Sequence, residues 1–202
     1  MKFVPVLLLL AFFQNAYAQT KVPGFGEFNK AEKEMTVCAF DPEAEAVIIF
    51  DKAEANHNDG YNLITKRRIR MKILKEKGLR FGNVNLYFYS KDDFESLYDI
   101  HAVVFNQMPD GSEETKELAT ENIFTSQIND KWSEKKFALP GVRVGSIIEY
   151  EYTTLAKNYN GLRDWFFQTE MPTMLSSFDV VILPNYEFAY KVSKAPALPI
   201  VV

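Results

Sequence analysis

The chain has 202 residues, a formal net charge of −4 and a pI near 5.3. Its 47% hydrophobic and 25% charged content is that of a globular domain, which excludes long-range disorder. The acidic balance leaves no electrostatic footprint for nucleic acid, so that class of partner is set aside.

Lys2 and the apolar run Phe3 to Phe13, followed by the small-x-small tripeptide Ala16-Tyr17-Ala18, have the form of a signal peptide. The run is too short to span a bilayer, so cleavage after Ala18 is expected, leaving Gln19 as the first mature residue of an exported protein. No later run is long enough for a transmembrane anchor. Residues 19–28 read as an extended leader, with Pro23-Gly24 and Gly26 breaking regular structure. Asn29 is placed to cap a helix over Lys30 to Val37, rich in Lys and Glu.

From there the pattern changes to period two. Ala46 to Phe50 is a short apolar strand, and Asn58-Asp59-Gly60 is a hairpin turn signal. Tyr61 to Leu74 is the longest alternating segment: Ile69, Met71 and Ile73 share one face, and Lys66, Arg68, Arg70 and Lys72 the other. Val84, Leu86 and Phe88 alternate with polar and Tyr positions, and Leu97 to Phe105 is apolar on both faces, as in a central strand. Pro109-Asp110-Gly111 makes a tight turn. Further strands are expected at Ile123 to Ile128, Trp132 to Leu139, Val144 to Leu155, Trp165 to Gln168, Phe178 to Leu183 and Phe188 to Val192. Nine or ten strands at this spacing predict an all-β, antiparallel β-sandwich, immunoglobulin-like in general architecture, with a short N-terminal helix. The domain occupies residues 29–194, and the apolar tail at 195–202 reads as a truncated junction to a following domain.

Candidate sites follow from charge and aromatic placement. The ladder Lys66, Arg68, Arg70, Lys72 could hold an anionic ligand, or be a solvated face paired with Glu149 and Glu151 on a neighbouring strand; ion pairing is the preferred reading. Trp132, Tyr159 and Trp165 could form a platform for sugar rings, although core packing is preferred for the run Trp165-Phe166-Phe167. Asn56 to Gly60 lacks the closing Glu of a calcium loop, and Cys38, His57 and His101 have no metal-ligand spacing, so neither metal nor cofactor is implied. Cys38 is the lone cysteine and sits beside Ala39 and Phe40; a buried, inert thiol is expected, with an intermolecular or reactive thiol as the alternative. The chain shows no catalytic set, and no enzyme activity is expected of it.

The segment Leu139-Pro140-Gly141-Val142-Arg143-Val144-Gly145-Ser146-Ile147-Ile148-Glu149-Tyr150-Glu151-Tyr152 resembles a known family. It is similar to the domain of unknown function that precedes transglutaminase-like, papain-fold cores in exported proteins of Gram-negative bacteria. Phe40 to Val47, Arg68 to Gly78, and Asp164 to Gln168 with Pro172 resemble other parts of that domain, so the likeness runs from about Phe28 to Val192. The resemblance implies a non-catalytic accessory domain. It would support, or select substrate for, a transglutaminase-like or peptidase domain downstream or in a partner. It also implies a location in the periplasm or at the cell surface. The alternative is a stand-alone binding module for cell-wall peptide or glycan. The Cys-His-Asp triad of the relatives has no counterpart here, and Cys38 does not correspond to their nucleophile.

Overall fold

The computed structural model describes residues 22–157 and 162–184. The expected signal peptide, Tyr159, the strand at 188–192 and the tail at 195–202 lie outside these residues. The helix α1 (Lys30–Glu34) is closed at its start by a capping box. Asn29 Oδ1 accepts from the Glu32 amide at 2.9 Å, and Glu32 reaches back to the Asn29 amide at 3.0 Å. It ends earlier than the expected Val37, because Met35 is already extended and the β-branched Thr36 and Val37 follow.

Nine strands follow among the described residues: β1 (Ala46–His57), β2 (Leu63–Ile73), β3 (Asn83–Tyr89), β4 (Glu95–Gln107), β5 (Glu113–Glu117), β6 (Phe124–Gln127), β7 (Trp132–Ala138), β8 (Ile147–Ala156) and β9 (Ser176–Val180). They form a six-stranded sheet in the order β5-β4-β8-β2-β1-β9 and a three-stranded sheet in the order β3-β7-β6. The fold is mostly β, with two sheets and no closed barrel. Every pairing is antiparallel except that of β9, which runs parallel to β1 at the sheet edge.

The core lies between the sheets. Ile69, Met71 and Ile73 of β2, Val104 of β4 and Ile148 and Tyr150 of β8 pack against Val84, Leu86 and Phe88 of β3 and Phe137 of β7. The alternation in β2 and β3 therefore points where the period of two places it. Asn58 closes the β1–β2 hairpin: its Oδ1 accepts from the amides of Gly60 and Asn62, both at 3.0 Å, while Tyr61 adopts a left-handed backbone at φ 58°.

The turn entering β8 is built from buried polar groups. Ser146 Oγ accepts from the Arg143 amide at 2.8 Å and donates to Asn106 Oδ1. Asn106 Nδ2 donates to the Gly141 carbonyl at 3.0 Å. Gly141 and Gly145 have φ of 72° and 89°, which glycine adopts without strain. Gly145 has open space where a Cβ would stand, so it serves turn geometry.

Several segments differ from expectation. β1 runs seven residues beyond Phe50, because Asp51, Lys52, Glu54 and Asn56 hide its apolar signature. β5 has an almost wholly charged sequence and gives no strand signal. Residues 165–168 form no strand, and the expected strand at Phe178 to Leu183 begins earlier and stops at Val180.

Candidate functional site

The basic ladder stands on the outer face of the six-stranded sheet, in register with the glutamates of β8: Arg70 opposes Glu149 and Arg68 opposes Glu151. It is solvated only at its Lys66 end. Arg70 and Glu149 are each 0% exposed and Lys72 is 2% exposed, because the leader and α1 lie across them. Arg70 Nη1 donates to both oxygens of Glu32 at 3.0 and 2.8 Å. Its Nη2 donates to Glu149 at 2.9 Å and to the Gly24 carbonyl at 3.2 Å. Arg68 bonds Glu149 from the other side, Lys66 pairs with Glu151 at 3.3 Å, and the Gly26 amide donates to Glu149 at 2.8 Å. Phe25, Phe28 and Phe50 stack against the two guanidinium groups. The ladder thus anchors the leader through charge and cation–π contact, and most of its charge is already matched.

Lys72 is the exception. Its Nζ donates to the Lys33 carbonyl at 2.9 Å, and burial pushes its pKa down to about 8 against the opposing pull of Glu32.

The tryptophans lie on the other side of the six-stranded sheet, Trp165 in the loop after β8 and Trp132 at the start of β7 in the three-stranded sheet. Past the edge of the three-stranded sheet the core face opens into a cleft of about 120 Å³, lined by Thr65, Arg67, Tyr152, Arg163, Trp165 and Phe178 among others. Asp51 holds Arg67 through two hydrogen bonds, Nε to Oδ1 at 2.9 Å and Nη2 to Oδ2 at 2.6 Å. Burial opposes the Arg67 charge, but the bonded Asp51 carboxylate, together with Tyr152 and Tyr150, raises the pKa above the ordinary arginine range. Burial likewise raises the pKa of Tyr150 beneath the cleft.

Trp165 packs the Arg67 guanidinium at 4.6 Å and stacks on Phe178 at 5.0 Å, so its ring is engaged within the fold. Trp132 packs edge-on against Tyr89 and carries the guanidinium of Arg163, which in turn pairs with Glu95. The structure therefore divides the candidate residues. Lys66, Arg68, Arg70 and Lys72 share one face, Trp132 and Trp165 gather near the cleft on the other, and Tyr159 is outside the described residues.

The preference for core packing of Trp165-Phe166-Phe167 is corrected at two positions, since Phe166 and Phe167 are 69% and 52% exposed. Asp51, Arg67, Glu32, Glu95 and Arg163 were not singled out from sequence. Arg67 carried a readable signal: it is a cation on the apolar face of β2, a position that requires a buried partner.

Cys38 is buried among Ala44, Val47, Leu74 and Met35. Among the described residues no group of three or more His, Cys, Asp or Glu side chains could hold a metal ion.

Residues 61–200 match the family model of a domain of unknown function with a solved structure, DUF3857, over more than two-thirds of the chain. The chain belongs to the DUF3857 family. All of β2 to β9, and hence the cleft and the ladder, fall within the span that defines this DUF3857 domain, whereas the leader, α1 and β1 precede it. No match was found among curated proteins. Among solved structures, the DUF3857 chain is similar to a crystal structure from Parabacteroides distasonis described as a "putative protease", with a TM-score of 0.54 and 14% identity. The similarity covers 67% of this chain but 29% of that one, so the chain spans under a third of the length of the protein it matches. At that identity the likeness shows a shared fold.

Proposed function

We propose that this DUF3857 chain is a non-catalytic accessory domain that supports, or selects substrate for, a transglutaminase-like or peptidase domain in the cell envelope after export. That catalytic domain lies downstream in the full-length protein or in a partner. The observation that carries this reading is the apolar surface of the last described segment. Phe166, Phe167, Met174, Val181 and Ile182 are all about half exposed or more, on the stretch that leads toward the C-terminal side. The similarity to less than a third of a longer chain described as a protease supports the same reading.

The intact mass of the native protein, taken from its own cell envelope, tests it. A mass well above the 23.2 kDa of these 202 residues, or stable co-purification with a peptidase-type chain, is the expected result. A native protein that ends at Val202 and runs alone would overturn it. The glycan-platform alternative gains no support from Trp165, whose ring is occupied by Arg67 and Phe178.

A further inference from the structure

On the outer face of the six-stranded sheet, where α1 ends and the Pro140–Ser146 turn begins, the surface folds into a cavity of about 400 Å³. Lys33, Met35, Lys72, Met108, Arg143 and Val144 are among its lining residues.

Its charges are unevenly matched. Lys33 Nζ is bound by Glu113 at 2.7 Å, and Arg143 Nη2 is shared with Glu114 at 3.4 Å. Lys72 brings three donors into an almost fully buried position and, among the described residues, bonds only the Lys33 carbonyl. Glu32, the carboxylate that acts on Lys72, is committed to Arg70 through both oxygens. Arg143 lines the same cavity with a partly exposed guanidinium, whose Nη2 also donates to Met108 Sδ at 2.8 Å. Buried donors in native proteins are almost always bonded, so the open donors of Lys72, a lining residue of this cavity, call for an acceptor.

We propose that this cavity binds a carboxylate carried on an apolar stem. Lys72 Nζ and the exposed end of the Arg143 guanidinium take its oxygens, and Met35, Met108 and Val144 hold its stem. A single negative charge suits the site, since Lys33 and Arg143 already share Glu113 and Glu114 and only Lys72 lacks a carboxylate. A dianionic phosphate would have to displace one of those glutamates.

The turn motif gains a purpose from this placement. The Ser146–Asn106–Gly141 hydrogen bonds fix the backbone that carries Arg143, so the root of its side chain is set before a ligand arrives. Around Lys72 stand Glu32 and Lys33 from α1, Arg70 from its own strand and Arg143 from the turn, while Glu113 and Glu114 of β5 pair with Lys33 and Arg143. Because the free Lys72 loses its proton near pH 8, affinity should hold below that pH and fall above it. The site does not depend on the accessory-domain reading.

Two sources share this chemistry: the C-terminus of a peptide and a short free carboxylic acid. The test is a titration of the full chain, following the backbone amide shifts of Val144 and Gly145. The probes are hexanoate, the peptide Ala-Ala-Leu, its C-terminal amide and inorganic phosphate. The expected result is saturable binding of an acid, with none for the amide. Lys72→Met and Arg143→Gln should each weaken it by about tenfold or more, the effect of losing a charge-assisted bond. Saturation by the peptide alone supports a peptide terminus, and by hexanoate alone a small acid. The proposal is overturned if neither acid saturates, if amide and acid bind alike, if phosphate binds more tightly than both, or if Lys72→Met binds unchanged.

Discussion

Arg70 is the side chain on which the outer face turns. It is fully buried, it bonds two carboxylates and a backbone carbonyl, and it has aromatic rings of Phe28 and Phe50 against it. Replacing it with Met would keep the bulk but strand Glu32 beside Glu149 without their shared cation. The expected cost is about 3–5 kcal/mol, the penalty for an uncompensated buried charge, read as a lower urea midpoint at unchanged slope. A loss below about 1 kcal/mol would mean that the network is solvated when the leader moves.

Two residues along, the opposite sign is expected. Lys72 has its folded-state pKa lowered to about 8, whereas the unfolded chain keeps the ordinary lysine value. Between those values the unfolded state binds the extra proton, so stability rises with pH. Below pH 8 the buried charge costs stability, and Lys72→Met should be more stable than wild type at pH 7. The gap should narrow as pH climbs from 8 toward 10.5. A pH-independent gap in paired melting curves would show that packing, and not charge, sets the difference.

At the level of single elements, legibility depended on whether the signal was local. β2 and β3 were readable because each buries one face against the core, and alternation records that directly. The hairpin at Asn58 was readable because its own side chain makes the turn. β5 was not: Glu113 to Glu117 pairs only through its backbone with β4 at a sheet edge, and its charged side chains carry no period. The basic ladder was read on the correct face but with the wrong solvent. Whether that face is wet depends on the leader Val22 to Phe28 crossing it, a contact between segments more than forty residues apart. Glu149 and Glu151 were correctly placed as partners of the ladder, since β2 and β8 are neighbours.

One junction between elements is more demanding than its sequence suggests. Gly78, in the 3-10 turn after β2, would place a Cβ 2.3 Å from the Glu45 carbonyl oxygen, and that oxygen also accepts from the amides of Leu74 and Lys75. Gly78→Ala must therefore push the start of β1 away from the end of β2. A loss of about 1–3 kcal/mol is expected from overpacking, whereas Gly145→Ala meets no atoms and is strained only in its backbone. Equal stability of Gly78→Ala and wild type in denaturant would show that the turn has room to shift.

Across the whole molecule, the first strand is completed by nearly the last described one. The Ile48 amide donates to the Pro172 carbonyl and the Asp51 amide to the Leu175 carbonyl, both at 2.9 Å. The Val181 amide donates to the Ala55 carbonyl at 2.8 Å. β9 thus covers the free edge of β1 by a parallel pairing that spans more than a hundred residues of chain. An exposed strand edge is a template for pairing with another copy, and the five-residue β9 replaces the twelve-residue edge of β1 by a shorter one that offers a neighbour less to pair with. A chain ended after Pro172 should leave that edge bare, whereas one ended after Pro184 keeps β9 and serves as the control. The shorter chain is expected to self-associate in sedimentation and to lose exchange protection at the Asp51 amide, while the control stays monodisperse with Asp51 protected. If both associate equally, the apolar surface at Phe166 and Phe167, common to both, is the cause. The covering role of β9 would then be rejected.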